Sequence, residues 1–97
     1  MRAVSLPTPE DLAAARDVVA EHLAPTPLVG PLKLETLQPT GSFKIRGALA
    51  ALARTPSDER VVTASAGNHG LGVAWAAAKL GRSATIVVPE NASPGRR

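Results

Sequence analysis

Two short apolar runs with a helix-length segment between them constrain the fold more than any other feature of this sequence. VVTAS, from Val61 to Ser65, and ATIVVP, from Ala84 to Pro89, have the composition of buried strands. Residues 69–80 predict a helix that Gly81 ends, and its residues are apolar nearly all round, so we expect it to be buried on more than one side. A strand, a helix and a strand in this order predict a βαβ crossover, since parallel strands need a long connection. The expected fold class is α/β, with part of a parallel open sheet and flanking helices.

The first sixty residues predict two more helices and a short strand. Thr8 can cap a helix with Pro9 in its first turn, and the expected range is 9–23. The prolines that follow predict an extended connector, and the alternation in LKLETL predicts a strand from Leu32 to Glu35. A further helix is predicted from about Ser42, and TPSDER after it predicts a polar loop. The expected apolar faces are Leu12, Ala15, Val19 and Leu23 in the first helix and Ile45, Ala48, Leu49 and Leu52 in the second.

These elements predict three segments: residues 1–24 with the first helix, residues 25–60 around Lys44, and residues 61–97 with the βαβ unit. A parallel sheet needs cover on both faces, and these helices and strands make a thin version of one. We therefore expect residues 1–97 to be the N-terminal portion of a larger α/β domain.

Composition excludes several classes of function. The chain has no cysteine, and His22 and His69 lack the spacing of metal ligands, so we expect no metal site. Two of the three net positive charges come from Arg96 and Arg97, and no basic stripe is interleaved with aromatic residues, so a nucleic-acid partner is not expected. No apolar run is long enough to span a membrane and no signal peptide is visible, so the expected location is the cytoplasm.

Lys44 lies in an unusual setting, the stretch PTGSFKIRG. At the start of a helix its charge would face the positive end of the helix dipole, and Gly47 and Ala48 offer no acid along that face. Both effects favour the neutral, nucleophilic form of the amine. The neighbouring ring of Phe43 could pack beside a flat ligand. Two interpretations remain open: a lysine that extends into solvent, or an amine that does chemistry.

The second candidate is the turn SAGNHG, from Ser65 to Gly70, between a predicted strand and a predicted helix. It could be an ordinary βα turn in which Gly67 and Gly70 provide positive φ or close packing. It could also bind an anion through backbone N–H groups, the Ser65 hydroxyl and the Asn68 amide. The turn lacks the glycine spacing of nucleotide-binding loops, so a carboxylate is favoured over a nucleotide phosphate.

Two further residues have a structural interpretation that we favour. His69 could act as a base, but in the first turn of a helix it is more often a packing or hydrogen-bonding residue. Ser42 could be a nucleophile, but no His–Asp pair lies near it in the sequence, so we expect a helix cap.

The segments KLETLQPTGSFKIRGA and VVTASAGNHGLGVAWAAAKLGRSATIVVPE together closely resemble the threonine/serine dehydratase group of pyridoxal-phosphate enzymes, which have the tryptophan-synthase-β-like fold, fold type II. The resemblance covers nearly the whole chain from about Pro25, with both motifs in the same order and spacing. It implies the cofactor pyridoxal 5′-phosphate and conversion of L-threonine or L-serine to a 2-oxo acid and ammonia. It also implies a homo-oligomer for a full-length relative.

The resemblance further implies roles for individual residues. Lys44 would carry the cofactor as a Schiff base and would later take the substrate Cα proton. Phe43 would flank the cofactor ring, and Asn68 would hydrogen-bond its phenolic oxygen. The loop that holds the substrate carboxylate would comprise Ser65, Ala66, Gly67, Asn68 and His69.

Three interpretations of the activity stay open. Related serine racemases have a second serine where this chain has Ala66, so the resemblance favours dehydration over racemisation, and another β-eliminating relative remains an alternative. The family's glycine-rich phosphate cup and the residue at its pyridine nitrogen lie beyond position 97, so we expect weak or no activity from these residues alone. The alternative of a different class is a truncated chain without catalytic function.

Overall fold

The computed structural model describes residues 4–92. The order of elements is α1 (Pro9–His22), β1 (Leu28–Val29), β2 (Leu32–Lys33), a 3-10 turn (Glu35–Leu37), α2 (Lys44–Arg54), β3 (Val61–Ala64), α3 (Asn68–Lys79) and β4 (Ala84–Val87). The fold class is α/β, as the sequence predicts. In this part of the chain, no helix combines the length and apolar character needed to cross a membrane.

The predicted βαβ unit is confirmed. Strands β3 and β4 are parallel neighbours, with Val61 opposite Ala84 and Ala64 opposite Val87, and α3 connects them. The prediction that both strands are buried is wrong for residues 4–92, because the hydrophobic core lies against only one face of this two-stranded sheet. Val62 and Val87, on the other face, are 62% and 55% exposed.

The core is formed chiefly between α2 and α3. The predicted apolar face of α2 is confirmed, and its residues Ile45 and Leu49 are completely buried. Helix α3 contributes Val73, Ala76 and Ala77, and Trp75 is partly buried against the same cluster. As expected, α3 is covered on more than one side: Gly72 packs against α2 and Gly70 against β4, while Ala74 and Ala78 are exposed.

The end of α3 is set by short-range signals. Gly81 follows α3 at φ 66°, and the N–H of Arg82 donates to the carbonyl of Ala77 at 2.8 Å, which is the Schellman arrangement. The Arg82 guanidinium donates to the carbonyls of Leu52 and Thr55, both at 2.9 Å. This one side chain therefore fastens the end of α2 and the start of the TPSDER loop to the end of α3.

Helix α1 begins where the sequence predicts, but its predicted apolar face is not buried as expected. Thr8 and Asp11 form a capping box, and the Thr8 hydrogen bonds, with help from Arg54, lower the pKa of the Asp11 carboxyl. The helix ends at His22, one residue before the predicted end, and none of its residues is buried. Leu12 is 61% exposed although the sequence predicts it on the apolar face, whereas Leu23, just after the helix, is buried in the core.

The segment before α2 is less regular than the sequence predicts. Strands β1 and β2 form an antiparallel hairpin around Gly30, whose φ is 57°. The predicted strand Leu32–Glu35 is wrong at its end: β2 stops at Lys33, and Glu35 begins a 3-10 turn closed by the Gln38 N–H donating to the Glu35 carbonyl at 3.1 Å. This turn directs the Glu35 carboxylate toward α2.

Candidate active site

Lys44 is the first residue of α2, and it is one of the residues that line a cavity. Its Nζ is 5.6 Å from the centre of the Phe43 ring, which is 60% exposed. The cavity has a volume of about 490 Å³ and lies between α2, β3 and the start of α3. Most of its lining is apolar, and Lys44, Thr63 and His69 bring polar groups to it. Volume and lining are those of a small-molecule site.

The prediction that Ser42 caps α2 is wrong in its geometry. The helix begins at Lys44, so Phe43 occupies the N-cap position and makes no side-chain capping bond. Ser42 is buried, and its hydroxyl accepts only a long hydrogen bond, 3.4 Å, from the Lys44 N–H. The first turn of α2 thus has only this weak side-chain acceptor and no capping bond from its N-cap residue.

The turn between β3 and α3 is organised by the Ser65 hydroxyl. Its Oγ accepts hydrogen bonds from the N–H groups of Gly67, at 3.1 Å, and Gly70, at 3.0 Å. The Ser65 oxygen therefore acts inside the loop, and its own O–H remains as a donor for another group. Sequence reasoning named Ser65 as a ligand-binding residue and missed this internal role.

Close packing explains one glycine of this turn. Neither Gly67 nor Gly70 has a positive φ. A Cβ atom at Gly70 would lie 2.7 Å from the carbonyl oxygen of Ser65 and 3.2 Å from Cγ2 of Ile86. Of the two reasons that the sequence left open for Gly70, the structure supports close packing.

The remaining loop residues lie at the start of α3. Asn68 is its first residue and is exposed, while Ala66 and Gly67 are half-buried just before it. The His69 ring is exposed, with Nε2 3.1 Å from the Thr63 hydroxyl, and both residues line the Lys44 cavity. This contact agrees with the hydrogen-bonding interpretation of His69.

The Lys44 segment and the segment that follows the SAGNHG turn come together at Gly72. A Cβ atom at this position would lie 3.2 Å from the carbonyl carbon of Lys44 and 3.3 Å from the nitrogen of Ile45. The first turn of α2 and the second turn of α3 therefore approach with their backbones nearly in contact. This approach places the start of the Lys44 helix beside the helix that begins with Asn68.

An ion pair that the sequence reasoning missed lies beside Lys44. The Arg46 guanidinium donates to both Glu35 carboxylate oxygens, Nε to Oε2 at 2.7 Å and Nη2 to Oε1 at 2.8 Å. The Arg46 hydrogen bonds are the largest of the effects that lower the pKa of Glu35 from 4.5 to about 2, and bonds from Thr26 and Gln38 act in the same direction. The available signal was an acid and a base on either side of Lys44 within one motif.

Within residues 4–92, no group of three His, Cys, Asp or Glu side chains is placed to hold a metal ion. The chemistry available is that of an exposed amine beside an aromatic ring, at an apolar cavity that the N-terminus of α3 borders. Lysine amines form Schiff bases with carbonyl compounds. An α/β fold with a lysine beside such a cavity is therefore typical of proteins that bind a flat carbonyl compound covalently.

Comparison with known proteins identifies the family. The family profile described as pyridoxal-phosphate dependent enzyme matches residues 19–97, and the chain belongs to this family. It is 58% identical over 64 residues to an L-threonine ammonia-lyase of Thermotoga maritima, a match that covers 63% of this chain and 16% of that protein.

Solved structures give the same fold. A threonine deaminase from T.th. superposes with a TM-score of 0.79 at 39% identity, over 93% of this chain and 32% of that one. Maize serine racemase superposes with a TM-score of 0.81 at 32% identity, over 90% of this chain and 31% of that one. The chain thus spans less than a third of the length of these proteins.

The residues present fit part of a pyridoxal phosphate molecule. The Lys44 amine is exposed, as attack on an aldehyde requires, and the exposed Phe43 ring offers a face beside it. The apolar lining of the cavity suits an aromatic ring.

Proposed function

We propose that this chain is part of a pyridoxal-phosphate-dependent threonine ammonia-lyase, which converts L-threonine, or L-serine, to a 2-oxo acid and ammonia. The observation that carries the proposal is the meeting of the two motifs: the backbone of Lys44 is in near contact with Gly72, and Lys44 and His69 line one cavity. The L-threonine ammonia-lyase and threonine deaminase to which the chain is similar support the choice of reaction.

The proposed division of labour starts with the cofactor, which supplies an electron sink when bound. Lys44 would hold it covalently through Nζ and, once released, would take the proton from the substrate Cα. Phe43 would flank the ring, and Asn68 would hydrogen-bond the phenolic oxygen. One side chain would thus serve as anchor and as base.

The loop Ser65, Ala66, Gly67, Asn68 and His69 would hold the substrate carboxylate. The start of α3 favours a negative charge because of the helix dipole. The Ser65 oxygen accepts two backbone N–H groups, so its contribution to a carboxylate would be its O–H hydrogen. With the carboxylate fixed, loss of the Cα proton and of the β-hydroxyl as water would leave an enamine, and water would hydrolyse its imine tautomer to a 2-oxo acid and ammonia.

A racemase is the second candidate, and the similarity to maize serine racemase favours it. Against it stands Ala66, which has no hydroxyl where the resemblance implies that serine racemases have a second serine as base. Product analysis with L-threonine and L-serine separates the two: a 2-oxo acid supports ammonia-lyase activity, and a D-amino acid without 2-oxo acid supports the racemase.

A non-catalytic chain is the candidate of a different class. The chain spans only 16% of the Thermotoga maritima relative. A cooperative thermal transition at a monomeric mass would count against a remnant that needs a partner in order to fold. We further propose a cytoplasmic location and, for a full-length protein, a homo-oligomer; cell fractionation and sedimentation would test these two points.

The direct test of the site is chemical trapping on the 97-residue chain. It is incubated with pyridoxal phosphate, reduced with borohydride and digested, and the adducts on its three lysines (Lys33, Lys44 and Lys79) are quantified by mass spectrometry. We expect Lys44 to dominate. Lys44→Arg is the control, because it keeps the charge and removes the nucleophile. Equal modification of the three lysines would contradict the proposal.

A further inference from the structure

The first turn of α2 needs an anchor other than a capping side chain. Phe43 at the N-cap makes no capping bond, and no acid lies in the first turn. Uncapped helix starts fray, because their first N–H groups lack acceptors. A lysine on a fraying turn would point in many directions. The burial of Ile45 and the near contact with Gly72 hold this turn against the core, so any further anchor must act on its other residues.

Arg46 lies in that turn, two residues after Lys44, and its side chain is held from outside the helix. Its two bonds to Glu35 form a fork that fixes both the position and the plane of the guanidinium. The Glu35 carboxylate is only 18% exposed, so solvent weakens this pair less than a surface pair.

The acid is itself fixed by other residues of the segment before α2. Gln38 Nε2 donates to Glu35 Oε2 at 3.2 Å, and Thr26 Oγ1 donates to Glu35 Oε1 at 2.5 Å. Lys33 Nζ donates to the Thr26 carbonyl at 2.5 Å. Thr26 and Gln38 are buried. The acid that binds Arg46, Glu35, is therefore held in place by several hydrogen bonds and is not a mobile surface side chain.

We infer that Arg46 is a positioning residue for Lys44: together with the burial of Ile45, the Glu35–Arg46 fork holds the weakly capped first turn of α2 and so fixes the backbone position from which the Lys44 side chain extends. This inference rests on the proposed role of Lys44. It assigns Arg46 no contact with substrate or cofactor. The planar fork is the essential part, so a lysine at position 46 keeps the charge but loses the second bond.

The same helix supplies a matched control. Arg54, in the last turn of α2, pairs with Asp11 of α1 at 3.2 Å. It is also an arginine of α2 bound to an acid from another element, but it lies at the opposite end from Lys44. Its side chain is 64% exposed, so the removal of this pair should leave the first turn unchanged.

The experiment compares the 97-residue chain with four variants: Arg46→Gln, Arg46→Lys, Glu35→Gln and Arg54→Gln. The first readout is amide hydrogen exchange in residues 44–48, with residues 49–52 as an internal reference. The second is the ratio of reducible pyridoxal-phosphate adduct on Lys44 to that on Lys79. Urea unfolding of each variant gives the global stability.

We expect Arg46→Gln and Glu35→Gln to speed exchange in residues 44–48 by about tenfold relative to residues 49–52. The Lys44-to-Lys79 adduct ratio should fall by about tenfold in the same variants, because a nucleophile in many orientations reacts less often. Arg46→Lys should lie between these variants and the unsubstituted chain. Arg54→Gln should change neither readout.

The inference is overturned if Arg46→Gln leaves both readouts unchanged, or if Arg54→Gln changes them equally. If Arg46→Gln does not fold, Arg46→Lys decides, and unchanged exchange and adduct ratio in that variant overturn the inference. Failure of the proposed function looks different: the unsubstituted chain would then show no preference for Lys44, while exchange in residues 44–48 would still report whether the fork holds the turn.

Discussion

Substitution of Gly72 by alanine tests the close approach that joins the two motifs. The added Cβ atom would lie 3.2 to 3.3 Å from three backbone atoms of Lys44 and Ile45. Backbone atoms cannot rotate away as the end of a side chain can, and Ile45 is completely buried, which limits how far α2 can shift. The two helices must therefore separate by a few tenths of an ångström.

The expected change in the free energy of unfolding is the difference between a gain in helix propensity and a cost of overpacking. An alanine in a helix interior is worth about 1 kcal/mol over glycine, because glycine loses more conformational entropy. Overpacking a tight contact costs about 1–3 kcal/mol. We therefore expect Gly72→Ala to lower the free energy of unfolding by up to about 2 kcal/mol, with the contact outweighing the gain in helix propensity.

Gly47→Ala is the matched control for this substitution. Gly47 lies in α2, and a Cβ atom there would meet nothing within 4 Å. This variant should be more stable than the original chain by about 0.4–1 kcal/mol. The difference between the two variants, about 0.4–3 kcal/mol, isolates the helix–helix contact.

Urea unfolding followed by circular dichroism measures both variants, and amide hydrogen exchange at Ile45 reports the local shift. We expect faster exchange at Ile45 in Gly72→Ala only. If Gly72→Ala proves as stable as Gly47→Ala, the two helices do not approach as closely as described, and the meeting of the motifs loses its physical basis.

Three further predictions concern the turn before α3 and the Glu35 carboxylate. Gly70→Ala should destabilise more than Gly72→Ala in urea unfolding, because its Cβ atom would lie 2.7 Å from a backbone oxygen; a smaller effect would count against the packing described. Ser65→Ala should cost about 0.5–2 kcal/mol by the same assay, since two N–H groups lose their acceptor, and an unchanged midpoint would show that water replaces the hydroxyl at no cost. The pKa of Glu35 is lowered from 4.5 to about 2, so the stability from its ionised form is fully present above pH 4.5 and is lost as the pH falls through 2. Glu35→Gln should therefore flatten the pH dependence of stability between pH 4.5 and 2, and a dependence equal to that of the original chain would contradict the assigned pKa.

The features predicted correctly from sequence depend on neighbours along the chain. The Thr8 cap, the turn at Gly81 and the buried face of α2 each follow from residues at most seven positions apart. The parallel pairing of β3 and β4 also follows, because a strand, helix and strand in this order have few alternatives.

The features that the sequence did not reveal depend on contacts between distant elements. The Glu35–Arg46 fork forms only because a 3-10 turn replaces the end of the predicted strand. The close approach of the α2 backbone to Gly72 depends on the distance between two helices. Hydrophobic periodicity predicts which face of a helix is buried, but not this distance. The exposed face of β3 and β4 likewise follows from where the helices lie, whereas apolar composition alone predicts burial.

The position of Trp75 gives this chain a specific optical property. It is the only tryptophan and there is no tyrosine, so the near-ultraviolet emission of the chain comes essentially from one indole on α3. That indole is partly buried against the core, with the Lys79 ammonium 5.8 Å from its ring. Fluorescence therefore reports chiefly whether α3 is docked on the core, whereas circular dichroism reports all the helices together.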